Sequence, residues 1–213
     1  DANHTYINEQ LRTGCTFYWN FKKVKLTVND SHTWIDREIM SFFPTQFDSK
    51  TSAVDAFLSY SLNSEITFLA GLNGHISSFN SYVIPFGGSE FEQSIEDENA
   101  QFEIIDPYFN VVYLSDFGLN INAGGRLNNH SEYGSHFVYN LNPSYSISLE
   151  EGYVKVLGSY ATSFIAPNLS QLFGFFGANP DLEPEENQTI EGGLEYNTKN
   201  GFRLNAVYFN RKE

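Results

Sequence analysis

The chain has 213 residues, 41% hydrophobic, 16% aromatic and 18% charged, enough apolar content for one folded domain and too much for a disordered segment. Its net charge of −14 excludes the basic footprint on which nucleic-acid binding rests, and by itself points to no ligand. One cysteine, Cys15, excludes an intrachain disulfide, and five scattered histidines add no structural zinc site.

No apolar run approaches the roughly 18 residues of a spanning helix, which excludes a helical membrane protein. A transmembrane β-barrel stays open, because its alternating strands average to a polar-looking composition. Period-two segments occur at about 6–17, 22–36, 51–61, 65–79, 100–114, 118–128, 137–149, 153–164, 187–197 and 201–211, roughly ten strands with no comparable helical pattern between them. In the second, Lys23, Lys25, Thr27 and Asn29 oppose Val24, Leu26 and Val28. In the sixth, Leu119, Ile121, Ala123 and Leu127 oppose Asn120, Asn122, Arg126 and Asn128. The seventh is the longest clean run: Phe137, Tyr139, Leu141, Pro143, Tyr145, Ile147 and Leu149 against Asn140, Asn142, Ser144, Ser146 and Ser148. It exceeds the usual strand of about 5–6 residues and suits a tilted membrane strand of about 9–11. Near the end, Glu191 and Glu195 oppose Ile190, Leu194 and Tyr196, and Arg203 and Asn205 oppose Leu204 and Ala206.

Short connections are expected at 61–64, 115–118, 150–152 and 197–201, long ones at about 37–50, 80–99 and 165–186, and an intermediate one at 130–136. Short and long alternate, as at the two rims of an outer-membrane barrel, and a soluble sandwich has no reason to do so. Tyr18, Trp19, Tyr60, Tyr113 and Tyr196 stand at short-turn ends, and Trp34, Tyr82 and Phe164 near long-loop ends, the expected places of two interfacial girdles. Parity alone does not say which face is inside, since solvent would also explain a polar face. Strand length, loop alternation and girdles place the apolar face against lipid and the polar face in the lumen. The chain opens on Asp1-Ala2-Asn3-His4 without a visible secretory leader and stops at Arg211-Lys212-Glu213 within an alternating pattern, so both ends read as cut.

Three stretches carry a family resemblance. Tyr160-Ala161-Thr162-Ser163-Phe164-Ile165-Ala166-Pro167-Asn168-Leu169-Ser170-Gln171-Leu172 resembles a signature of TonB-dependent receptors. Gly177-Ala178-Asn179-Pro180-Asp181-Leu182-Glu183-Pro184-Glu185 and then Glu191-Gly192-Gly193-Leu194-Glu195-Tyr196 are similar to the elements that follow it there, in the same order and spacing. The stretches 124–136 and 140–145 resemble the strands preceding that signature, within the subgroup of vitamin B12 or iron-siderophore receptors. The resemblance covers about 118–213; earlier segments fit by pattern only. It implies an all-β, antiparallel up-and-down transmembrane barrel of roughly 22 strands with a plugged lumen. Residues 1–213 would be about ten of those strands, with plug domain, TonB box and final strands outside them. It further implies active uptake, in the bacterial outer membrane, of a scarce small molecule such as a cobalamin or siderophore, coupled to the TonB complex through the plug. Ten open strands leave two unpaired edges, so the segment belongs to a longer or nicked barrel or pairs with another copy.

Ligand candidates lie on the polar parity and in the long loops. Arg126, Asn128 and His130 climb toward the outer rim, where a polar substrate is held or, alternatively, the plug is hydrogen-bonded. Phe42 and Phe43, and Phe173, Phe175 and Phe176, are aromatic clusters beyond the membrane band, either a binding surface or loop-on-loop packing. His130 and His136 flank a hairpin and read as a turn signature before a metal pair. The acidic run Glu90, Glu92, Glu96, Asp97, Glu98 lacks calcium-ligand spacing and reads as a solvated loop, as do Asp181, Glu183, Glu185 and Glu186. No nucleophile–base pair, carboxylate pair or phosphate-cradling loop is present in the pattern, so neither an enzyme nor a cofactor is indicated. The rival readings are a passive outer-membrane channel, against which the motifs around Pro167 and Pro180 speak, and a soluble or surface-anchored β-barrel binding protein.

Overall fold

The alternation carries through to the backbone. In the computed structural model, which describes residues 5–95, 100–174 and 178–213, ten long strands and one short one form a single antiparallel sheet. The long strands are β1 (Thr5–Phe21), β2 (Val24–Met40), β3 (Thr45–Ser61), β4 (Ile66–Val83), β6 (Gln101–Leu114), β7 (Leu119–His130), β8 (Gly134–Leu149), β9 (Gly152–Ile165), β10 (Glu185–Thr198) and β11 (Arg203–Lys212). The two-residue β5 (Glu92–Gln93) pairs with the outer end of β4, and one short helix, α1 (Leu169–Phe173), lies in the β9–β10 loop. Each long strand pairs with its neighbours in chain order, the up-and-down arrangement expected; β1 and β11 are the edges.

Register puts the apolar parity of every strand on one face. Ala123, Leu141, Tyr160 and Ile190 form one row across β7–β10, and Leu26, Leu58 and Ala70 another across β2–β4. On β8 Phe137, Leu141, Tyr145 and Leu149 are 57%, 45%, 42% and 44% exposed. The smaller Asn140, Asn142, Ser144 and Ser146 opposite them are half-buried. Large apolar groups more open than small polar ones mean that the sheet is concave on its polar side, as the wall of a barrel with an apolar exterior must be. Among the described residues the buried apolar side chains are Ile95, Ala100, Leu169 and Leu172, all in the two long outer connections.

The connections differ from expectation in an instructive way. The segment 37–50 is mostly strand: β2 and β3 each run 17 residues and only Ser41–Pro44 turns, with Ser41 Oγ accepting from the Phe43 N–H at 3.1 Å. Beyond a bilayer both faces are wet, so period-two alternation lapses although pairing continues. The 130–136 link is likewise tight, closing at residues 131–133 before Gly134 with its left-handed φ of 74°. Only 84–100 and 166–184 are long. Two girdle assignments also change. Tyr18 lies on the inner face, where Lys25 Nζ sits 4.6 Å from its ring centroid, because its neighbour Trp19 takes the outer one. Phe164 stacks on His136 at 4.0 Å, above the last regular β8–β9 pair.

Candidate functional site in the lumenal wall and its rim

Pro107 shapes the middle of the concave wall. Lacking an N–H, it interrupts the β6–β7 ladder between the pairs Ile104–His130 and Tyr108–Arg126. Side chains fill the gap: Asp106 Oδ1 accepts from the Asn129 N–H at 3.0 Å, and Asn129 Nδ2 donates to the Ile105 carbonyl at 2.7 Å. Asp106 is thereby buried to 4% exposure, with Arg126 Nη1 3.8 Å from its other oxygen. The Arg126 guanidinium also lies 5.3 Å from the Tyr108 ring centroid. Tyr108 in turn reaches past β4 to β3, donating to Asp55 Oδ1 at 2.7 Å. It can cross because its partner on β4 is Gly71; a Cβ there would stand 2.5 Å from Tyr108 Cζ. The chain Asp106–Arg126–Tyr108–Asp55 thus links β6 and β7 to β3 across β4, and Arg126 stays partly open to the lumen. Arg126, Asn128, Tyr108, Asn110 and Asn140 line one groove of about 490 Å³ on this face.

His130 turns away from that groove. It is 6% exposed, stacked on Phe102 with centroids 5.0 Å apart, and Tyr133 lies a further 5.0 Å away. Its Nδ1 accepts from the Glu132 N–H at 3.1 Å, which leaves Nε2 as the protonated nitrogen of the neutral ring. Across Phe102 stands His75, 5.7 Å distant, so the rim carries a ladder of four rings. The β9–β10 loop closes over it. Asn168 and Gln171 form a reciprocal capping box that starts α1, Leu169 and Leu172 go inward, and Tyr133 Oη donates to the Leu182 carbonyl at 3.1 Å. Burial first, and Glu132 second, hold the Tyr133 phenol above its ordinary pKa. The resulting cleft of about 190 Å³ is lined by Phe102, His130, Tyr133, Leu172 and Phe173.

A family model described as TonB dependent receptor-like, beta-barrel, matches residues 1–212. The chain belongs to that family. Solved structures agree on the fold. The siderophore receptor PirA from Pseudomonas aeruginosa superposes with a TM-score of 0.75 at 16% identity, over 98% of this chain and 40% of that one. The copper transporter OprC gives 0.72 at 12%, over 96% and 38%, and the siderophore receptor PiuA from Acinetobacter baumannii 0.67 at 13%, over 98% and 40%. The chain therefore spans about two fifths of the length of these structures. The family and its structural neighbours are receptors and transporters, not enzymes.

Within this receptor barrel the expected site residues fall into three places. Arg126 and Asn128 share the lumenal groove, and His130 and Phe173 share the rim cleft. Phe42 and Phe43 occupy the β2–β3 turn, 84% and 61% exposed, edge-to-face at 4.9 Å, and line neither cavity. Phe175 and Phe176 lie outside the described residues, as do Glu96, Asp97 and Glu98. His130 and His136 take separate partners, His136 Nδ1 lying 3.1 Å from Glu186, and no metal-ligating group of three occurs among the described residues. Sequence reasoning missed Asp55, Tyr108 and Asp106. One signal was available: a proline inside an otherwise continuous strand, flanked by Asp and Tyr on the polar parity.

Proposed function

We propose that this barrel wall belongs to a bacterial outer-membrane receptor that takes up a scarce chelated nutrient, of the iron-siderophore or cobalamin kind. A plug domain elsewhere in the receptor would couple transport to the TonB complex, and the β1 and β11 edges would pair with the remaining strands. The family match over residues 1–212 carries this reading. The polar concave wall, with a partly open guanidinium at Arg126, supports it, because a lumen that passes a polar cargo needs exchangeable hydrogen-bond partners. In this reading Arg126 and Asn128 contact cargo or plug. His130 and Phe173 make an aromatic seat at the rim, and Phe42 and Phe43, with Phe175 and Phe176 in the β9–β10 loop, meet cargo from outside.

The test is growth and radiolabelled uptake in an outer-membrane strain dependent on the intact receptor, with ferric siderophores and cobalamin offered in turn. One of them should be accumulated only while TonB is present, and Arg126→Ala should lower its apparent affinity about 10-fold or more, the loss of one charge-assisted contact. Uptake unaffected by removing TonB would replace active transport by a passive channel.

A further inference from the structure

Two neighbouring hairpins separate at the outer rim and are joined there by side chains. The β8–β9 register stops at Asn140–Ala161, although β7–β8 pairs on up to His130–Gly134 and β9–β10 up to Ile165–Glu185. Carried further, the register would set Phe137 opposite Phe164. Instead Phe164 turns onto the His136 ring, 4.0 Å away and 15° from parallel. The last rung is made by a side chain, Thr162 Oγ1 accepting from the Tyr139 N–H at 2.9 Å. Beyond it lies a gap of about 340 Å³, lined from both hairpins by Val138, Tyr139, Thr162, Ser163 and Phe164. His136 stands at the outer end of that gap. Its Nε2 lies 3.0 Å from the Tyr133 carbonyl of its own hairpin, and its Nδ1 3.1 Å from Glu186 Oε1 of the other.

Both partners are acceptors. A carbonyl oxygen has no proton to give, nor has an ionised carboxylate, so the two bonds together require N–H on both ring nitrogens, which only the imidazolium has. A neutral ring keeps one proton and one bond. The Tyr133 carbonyl, three residues back in the same turn, stays beside the ring whatever the hairpins do, whereas Glu186 is 72% exposed and can turn to water. The bond lost on deprotonation is the one that crosses the seam. Glu132 in the β7–β8 turn, Glu183 in the β9–β10 loop and Glu186 on β10 line the space on one side of the ring. Lys212 and Glu213, at the end of β11, line the gap on the other, and the Tyr133 phenol is engaged in donating to the Leu182 carbonyl. The charge around the ring is net negative, and an imidazolium neutralises part of it.

We propose that His136 is a proton-operated clasp between the β7–β8 and β9–β10 hairpins, closed in acid and released once the ring loses its charge. Imidazole is the side chain that changes charge between about pH 5 and 8, so the seam opens as pH rises through that window. What the clasp controls is the rim cleft. Tyr133 and Leu182, 3.1 Å apart through their hydrogen bond, stand on opposite sides of the seam. Tyr133 walls the cleft from one hairpin, and Leu169, Leu172 and Phe173 wall it from the other. Opening the seam draws these walls apart, so the cleft is firmest in acid, whatever it binds.

Nitroxide labels on Ser135→Cys and Asp181→Cys, both exposed and one on each hairpin, report the seam as an electron–electron dipolar distance in the intact receptor carrying Cys15→Ser. The open population should rise about two- to five-fold between about pH 5 and about pH 8, the worth of one partly exposed charged pair. Glu186→Gln is the discriminating variant. Its amide offers a C=O to the charged ring and an N–H to the neutral one, so the seam should stay closed at both pH values. A merely structural ion pair would instead be weakened by Glu186→Gln in acid. His136→Phe keeps a ring against Phe164 but has no nitrogen, and should be open to the same degree throughout. Should His136→Phe not fold, Glu186→Gln, at an exposed position, still decides. A wild-type distance that does not change with pH, or an undiminished pH response in Glu186→Gln or His136→Phe, overturns the proposal.

Discussion

Replacing Gly71 by alanine tests whether the lumenal network depends on one missing Cβ. In an unencumbered strand the change would stabilise by about 0.5–1 kcal/mol, since glycine loses the most backbone freedom on folding. Here the new methyl would stand 2.5 Å from Tyr108 Cζ and 2.7 Å from Phe57 Cβ. The tyrosine ring can lift, but only by giving up its 2.7 Å bond to the Asp55 carboxylate, a class of bond worth about 1.5–3 kcal/mol. Phe57 Cβ is fixed to its backbone and cannot move away cheaply, which adds an overpacking cost of about 1–3 kcal/mol. Tyr108 is half-buried, so the lower end of each range applies. The net, after the gain of about 0.5–1 kcal/mol from replacing glycine, is a loss of about 1.5–2 kcal/mol. Urea unfolding of the receptor in detergent micelles, followed by tryptophan fluorescence, measures it. The decisive comparison is the same substitution beside Tyr108→Ala, where no ring remains to be displaced and the coupling should be at least about 1 kcal/mol. Equal penalties in the two backgrounds, or a stabilised Gly71→Ala, would show that Tyr108 does not lie where the geometry places it.

Two further substitutions probe the wall and the rim. Leu141→Arg puts a charge on the lipid face and should cost about 2–4 kcal/mol, whereas Asn142→Arg on the lumenal face should cost less than about 1 kcal/mol; equal costs would refute the assignment of the faces. Asn168→Ala removes the acceptor of the Gln171 N–H, 2.9 Å away, and should cost about 1 kcal/mol locally. It should appear as faster amide exchange across 169–174 with global unfolding unchanged, and unaltered exchange would mean that the capping box does not hold the loop.

How much of this was legible depended on what the surroundings demand of each side chain. Along 137–149 one face meets lipid and the other meets water, a one-residue slip would exchange the two, and so the alternation is clean and the strand can be read directly. Along 37–50 both faces are wet, no such penalty applies, and a pattern that looked like a long loop is two paired strands closed by Ser41–Pro44. The same contrast governs the site. Arg126 and Asn128 declare themselves by parity, because facing the lumen is a property of one strand. The partners of Arg126 do not, since Tyr108 and Asp106 are set by the β6–β7 register and Asp55 by two further registers and the absence of a side chain at Gly71. Each register is decided by hairpin closure, through residues such as Lys22 with its positive φ and Gly134, and the offsets accumulate across strands. His130 shows the limit most clearly. Its parity points into the lumen, but whether its ring serves the groove or the rim is decided by Phe102 on the neighbouring strand and by a loop more than thirty residues further along the chain.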